Sequence, residues 1–141
     1  NIRTPSQTFI TDVGTLNSLS VSGNANIGNL TVTGMTDMCG AYVHGVQVVA
    51  NAPNGSSTQI WSNVGVVLIQ PNANIASYTI TMPNTPVQGQ GIKIGFANTI
   101  TSLTHTVVGG QTLLGGLSTA NVSAGGEWIY DANTASWYKV G

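Results

Sequence analysis

Charge is almost missing from this chain. Its Lys and Arg total three (Arg3, Lys93 and Lys139), its Asp and Glu total four (Asp12, Asp37, Glu127 and Asp131), and charged residues make up 5% of 141 positions, where about 25% is usual. Three scattered cations neutralise few phosphates, so no nucleic-acid partner is expected. Low charge combined with 41% hydrophobic content is the opposite of the balance that keeps a chain disordered. Solubility must then rest on Ser, Thr, Asn, Gln and Gly. A single cysteine, Cys39, rules out an intrachain disulfide framework. It reads as a free, buried thiol in preference to a bond between chains. No apolar run approaches the roughly 18 residues of a membrane-spanning helix, and no basic segment leads into an apolar one. Neither membrane insertion nor a signal peptide is expected. The chain begins at Asn1 instead of Met and reads as a fragment of a longer protein.

Groupings that carry chemistry are also scarce. Glycoside cleavage needs two carboxyl groups roughly 5–9.5 Å apart. Glu127 and Asp131 would stand about 13 Å apart on one strand, and Asp131 before a turn is more often a turn-former. No G-x-S-x-G elbow is present. His44 and His105 lack an acidic partner, and one Cys with two distant His does not make a zinc site. Gly89, Gly91 and Gly95 have the wrong spacing for a dinucleotide fingerprint. The expectation is a protein that is not an enzyme, with no catalytic residue, no metal and no cofactor.

What is present is a repeat. Shifted by eleven, the stretch from Leu16 to Thr36 lands on itself: Leu16 on Ile27, Leu19 on Leu30, Val21 on Val32, Gly23 on Gly34. An eleven-residue period can mean a right-handed helical coiled coil, but Gly23, Gly28 and Gly34 would each cost about 1 kcal/mol inside a helix. Leu19–Val21 and Leu30–Val32 alternate with period two and each run ends on a turning Gly, so short strands are the better reading. Burying six apolar side chains does not repay the backbone entropy of ordering more than twenty residues. The stripe of Leu16, Leu19, Val21, Ile27, Leu30 and Val32 therefore needs partners, and it is read as the core of a trimer. An ordinary two-strand hairpin is the alternative.

The series Leu19, Val21, Gly23, Ala25, Ile27, Gly28, Leu30, Val32, Gly34 resembles the shafts of trimeric virus and bacteriophage fibre proteins, and similar ribbons occur in bacterial surface adhesins. The stretch Ala76–Pro83, then Gly89–Ile94 and a late Gly125-Gly126 before Trp137, resembles the cadence of fibre heads. The resemblance implies a homotrimer on the virion surface that meets a host receptor.

Residues 1–14 read as an extended lead-in, and residues 1–36 as lead-in and β-helix-like repeat shaft. Residues 37–141 read as the head, with short strands over Tyr42–Val49, Ile60–Trp61, Val64–Gln70, Ser77–Met82, Ile92–Phe96, Thr99–Val108, Thr112–Leu114 and Asn121–Ser123. Glu127–Tyr130 and Trp137–Val140 form a closing hairpin. Tyr78, Ile80 and Met82 should face inward, and Val66–Ile69 should sit mid-sheet. The fold class expected is all-β, with an antiparallel β-sandwich head, jelly roll included.

The function expected is attachment of a virion fibre tip to a glycan or protein receptor by multivalent contact. A purely structural registration module is the second reading, and an adhesin or glycan-cleaving tailspike fragment the third. Binding candidates are Asn51, Asn54 and Ser56 in one loop, Asn84 and Gln88 in another, and Trp137. Trp61, Trp128, Tyr130 and Tyr138 would stack on sugar rings where exposed.

Overall fold

A computed structural model describes residues 14–141. The expected lead-in, apart from Gly14, lies outside the described residues, and so do Arg3 and Asp12. The chain divides into two units, Asn1–Cys39 and Gly40–Gly141.

In the first unit the described residues contain no strand and no helix, and every one is exposed. The short strands expected there are absent because a single ribbon has no neighbour to hydrogen-bond. Its conformation nevertheless repeats. The backbone bends at Asn17 and Ser22–Gly23, and again eleven residues later at Gly28 and Thr33–Gly34. Exposure repeats with it: Leu16 and Ile27 are each 51% exposed, Leu19 and Leu30 71% and 70%, Val21 and Val32 48% each. Cys39 is exposed, not buried, with its thiol 3.6 Å from an Asp37 carboxylate oxygen.

The second unit holds nine strands and no helix among the described residues: β1 Val46–Ala50, β2 Ser57–Gln59, β3 Val66–Gln70, β4 Ile75–Thr81, β5 Gly91–Phe96, β6 Ile100–Thr106, β7 Thr112–Leu114, β8 Gly126–Asp131 and β9 Ser136–Lys139. The first six alternate between two sheets. One sheet runs β1-β3-β5-β8-β9-β7 and the other β2-β4-β6. Three rungs therefore stack like the coils of a solenoid, each with one strand in either sheet.

Pairing within the stack is parallel: β1 with β3, β3 with β5, β2 with β4 and β4 with β6. β7 with β9 is parallel too. Only β5–β8 and the closing β8–β9 hairpin are antiparallel. The antiparallel head and the jelly roll are thus corrected. A parallel pair needs a crossover of a dozen or more residues. Within the stack each crossover contains a strand of the opposite sheet, so turns that look like hairpin turns carry the chain across to the other sheet.

In-register stacking explains the composition. Gln47, Val67 and Ile94 lie side by side across the first sheet, as do Val49, Ile69 and Phe96. In the second sheet Ser77 pairs with Ser102, and Thr79 lies between Ser57 and Thr104. A charge placed in one rung tends to meet a like residue in the next, which is unfavourable. Hydroxyls and amides stack without that cost. Inward-facing Val67, Ile69, Tyr78, Ile80, Met82, Ile92, Ile94, Trp128 and Trp137 form one core drawn from both sheets.

The two ends of the stack differ. Beyond the third rung, β8 covers the edge of β5. The segment after β7 covers β6, through hydrogen bonds between Ile100 and Ala120 and from Leu103 N–H to the Ser118 carbonyl. At the first rung β1 and β2 are edge strands, and the side chain of Gln47, 4% exposed, fills the space between them. The expected strand at Ile60–Trp61 is irregular chain leading into a turn at Ser62–Asn63, and that at Asn121–Ser123 is a tight turn closed by an Asn121–Ala124 bridge.

Candidate functional site

Alternation between sheets sorts the connections into two sets. Turns leaving the first sheet span 51–56, 71–74 and 97–99. Turns leaving the second span 60–65, 82–90 and 107–111. The two sets lie at opposite ends of the strands, so the expected binding residues are split. Asn51, Asn54 and Ser56 fall in the first set, Asn84 and Gln88 in the second. Trp137 falls in neither. It is fully buried, with its indole N–H donating to Gln111 Oε1 at 2.9 Å, so it offers no face to a ligand.

The first set is braced by asparagines. Asn54 Oδ1 accepts the backbone N–H groups of Ala76 and Ser77 at 3.0 and 2.9 Å. One rung on, Asn74 Oδ1 accepts the Thr99 N–H at 3.1 Å, and Asn98 Nδ2 donates back to the Pro71 carbonyl at 2.6 Å. Each amide ties a turn to its neighbour in the stack. Ser56 Oγ donates to Pro53 O at 2.8 Å, and Asn51 adopts φ 55° where the chain leaves β1. Asn54 Oδ1 and Ser56 Oγ are thus engaged inside the fold. Beside this edge lies an apolar groove of about 220 Å³, lined chiefly by Leu68, Gly95, Phe96 and Val122. It contains no titratable group.

The second set presents a different surface. Trp61 directly follows buried Ile60 and is 58% exposed, whereas Trp128 and Trp137 are 0% exposed. Its backbone N–H is held by Gln47 Oε1 at 2.9 Å. Next to it, Ser62 Oγ lies 3.1 Å from Thr85 Oγ1, joining the turns of the first two rungs. Gln90 Nε2 donates to the Ser62 carbonyl at 3.0 Å. Trp61 and Asn84 therefore flank a hydroxyl pair. The Asn84 side chain makes no hydrogen bond among the described residues. Val87 is 66% exposed on the same turn. Gln88 is committed: its Oε1 accepts the Ala132 N–H at 2.7 Å. Gln111 Nε2 fixes the base of the turn, 3.2 Å from both the Pro83 and Asn84 carbonyls.

Titratable groups serve the fold. Asp131 accepts from Asn133 N–H, Asn133 Nδ2 and Thr134 Oγ1. These bonds, the backbone one first, hold its carboxyl below the usual range. Glu127 Oε2 lies 3.9 Å from Lys93 Nζ. His105 packs edge-on against Trp128, centroids 4.7 Å apart. The Leu117 N–H points at its Nδ1, 3.4 Å away, which leaves the proton on Nε2, 3.1 Å from Met82 Sδ. Burial, reinforced by the Lys139 charge, lowers its pKa to about 4. His44 meets Tyr42 edge-on at 4.5 Å. Among the described residues, no three of His, Cys, Asp and Glu gather closely enough to hold a metal ion.

The chain matches no protein-family model and no curated protein.

Of the aromatics expected to stack on sugar rings where exposed, Trp61 is 58% exposed and lies on no strand, whereas Trp128 is buried. A second internal repeat was missed. Ser77, Thr79 and Thr81 recur as Ser102, Thr104 and Thr106, and this S-x-T-x-T spacing marks the strands that stack in register.

Proposed function

We propose that this chain is the tip of a homotrimeric virus or bacteriophage fibre, attaching the particle to a receptor on the host surface. In this reading residues 14–39 belong to a thin trimeric β-shaft and Gly40–Gly141 to the head. The observation that carries it is the eleven-residue recurrence of both bend and exposure in the first unit. A chain that repeats its conformation while holding Leu19 and Leu30 some 70% exposed is built to receive the same stripe from identical copies. Three heads on one rigid stalk, at the virion surface, turn weak contacts into firm attachment.

Light scattering on the purified full chain tests this. A mass three times that of the 14.5 kDa chain is the expected result, and a monomer at working concentration would overturn the proposal. Attachment itself is read by binding of the labelled protein to host cells.

A registration module without a ligand is the second reading. It is favoured by the internal bonds that occupy Asn54, Ser56 and Gln88. A trimer that fails to adhere to any cell would establish it over the first.

A further inference from the structure

We infer that Trp61, with Ser62, Asn84 and Thr85, forms a subsite for an uncharged glycan on the turns that leave the second sheet. The inference rests on the attachment reading above and names the ligand class.

Three observations combine. The first is an aromatic face in water. Trp61 is 58% exposed on a domain whose other two tryptophans are buried. Leaving so large an apolar ring in solvent forgoes its burial energy, and its N–H and carbonyl-side neighbours hold it there: Gln47 Oε1 clamps the backbone N–H and the Ser62–Thr85 pair pins the next residue. The backbone that carries the ring is therefore fixed before any ligand arrives, which reduces the ordering cost of binding. The apolar C–H face of a pyranose ring fits such a surface.

The second is uncommitted hydrogen-bonding capacity on the same two turns, which the Ser62–Thr85 contact joins. The Asn84 amide has both a donor and an acceptor to offer, and the Ser62 and Thr85 hydroxyls each retain acceptor lone pairs after bonding to one another. Sugar hydroxyls are donors and acceptors at once and match this mixture. The turns are backed by Gln90 and Gln111 bonds to backbone carbonyls, so these groups are held on a firm base.

The third is charge. Of the two described cations, Lys93 lies beside Glu127 and Lys139 over the Trp128 ring at 5.9 Å. Neither belongs to these turns. The cation nearest in bonding is Lys93, whose backbone N–H donates to the Gly65 carbonyl at 2.9 Å, and its ammonium already lies 3.9 Å from Glu127 Oε2. An acidic sugar would find no cation within the turns themselves and only a carboxylate-paired one next to them. Neutral hexoses and N-acetylhexosamines are the ligands that remain.

The test is an array of neutral hexose and N-acetylhexosamine oligosaccharides beside sialylated and sulfated ones, probed with the full chain. Signal is expected on neutral glycans. It should weaken about tenfold or more in Trp61→Ala, weaken in Asn84→Ala, and survive in Trp61→Phe. Acrylamide quenching gives an independent readout, because Trp61 is the one exposed tryptophan among the described residues. A bound neutral oligosaccharide should protect it. Equal binding by Trp61→Ala with an unchanged melting curve, signal confined to acidic glycans, or no glycan signal at all would each overturn the inference. A trimer that still adheres to cells under any of those outcomes leaves the fibre reading standing. A monomer removes that reading instead.

Discussion

Gln47 donates its side-chain N–H to the Gln59 carbonyl at 3.0 Å, joining the two edge strands of the first rung through one buried amide. The same amide accepts the Trp61 N–H at 2.9 Å. In the register of the first sheet Gln47 occupies the position that Val67 and Ile94 fill in later rungs. A stack needs a different residue at its open end, since the first rung has no preceding strand to satisfy its backbone.

Gln47→Leu keeps the volume and removes the bonds. It leaves a part-buried carbonyl and N–H without partners, a cost of about 2 kcal/mol. A lower urea midpoint with an unchanged m-value is the expected result. A midpoint equal to wild type would show that water replaces the amide without loss.

Acid should loosen the second unit in a defined window. The unfolded chain protonates His105 near its ordinary value of 6.5, whereas the folded chain resists until about 4. Between those values the unfolded state binds more protons, so stability falls as pH drops from 6.5 towards 4, by about 3 kcal/mol at most. Asp131 adds to this below its ordinary value, because its carboxyl is also held low in the fold. Urea midpoints measured from pH 7 to pH 4 should decline, and His105→Gln should flatten the upper part of the curve. A flat wild-type profile would contradict the placement of the imidazole.

Two backbone positions should respond in opposite directions. A Cβ on Gly125 would lie 2.5 Å from the Ile94 carbonyl oxygen, so Gly125→Ala must push β5 and its neighbour apart, at about 1–3 kcal/mol. Ala135 adopts φ 48° in the turn before β9, a conformation that costs a residue with a side chain roughly 1–2 kcal/mol. Ala135→Gly relieves that cost and loses part of the gain to chain entropy. Its melting temperature should rise by a few degrees, while that of Gly125→Ala should fall.

The exposed stripe of the first unit makes a prediction about mass. Leu19→Asp together with Leu30→Asp places a charge at equivalent points of both repeats, which are about 70% exposed in the single chain. A monomer would tolerate the change. A trimer that packs the stripe inward would dissociate, because the charges would be buried without partners. Light scattering distinguishes the two, and an unchanged trimer would place its contacts elsewhere.

Much of the chain's character was decided locally. Alternation marked Tyr78, Ile80 and Met82, and Ile92, Ile94 and Phe96, as inward-facing, and all six are buried. The continuous apolar run from Val66 to Ile69 marked an interior strand, which is where β3 sits. Gly, Asn and Pro marked the turns, and the eleven-residue period was plain in the letters. These features depend on neighbours within a few residues, so the order of residues alone determines them. Strand direction does not. A two-residue alternation is identical in parallel and antiparallel sheets, and the turn around Asn54-Gly55 has the same chemistry whether the chain folds back on itself or crosses to another sheet. That choice rests on partners some twenty residues away, such as Val46 beside Val66 and Ser57 beside Thr79. The fate of the tryptophans is decided the same way. Trp137 is covered because β9, held between β8 and β7, turns it into the core that the two sheets share, and Trp61 stands 58% exposed because it falls on the connection that leaves the first rung.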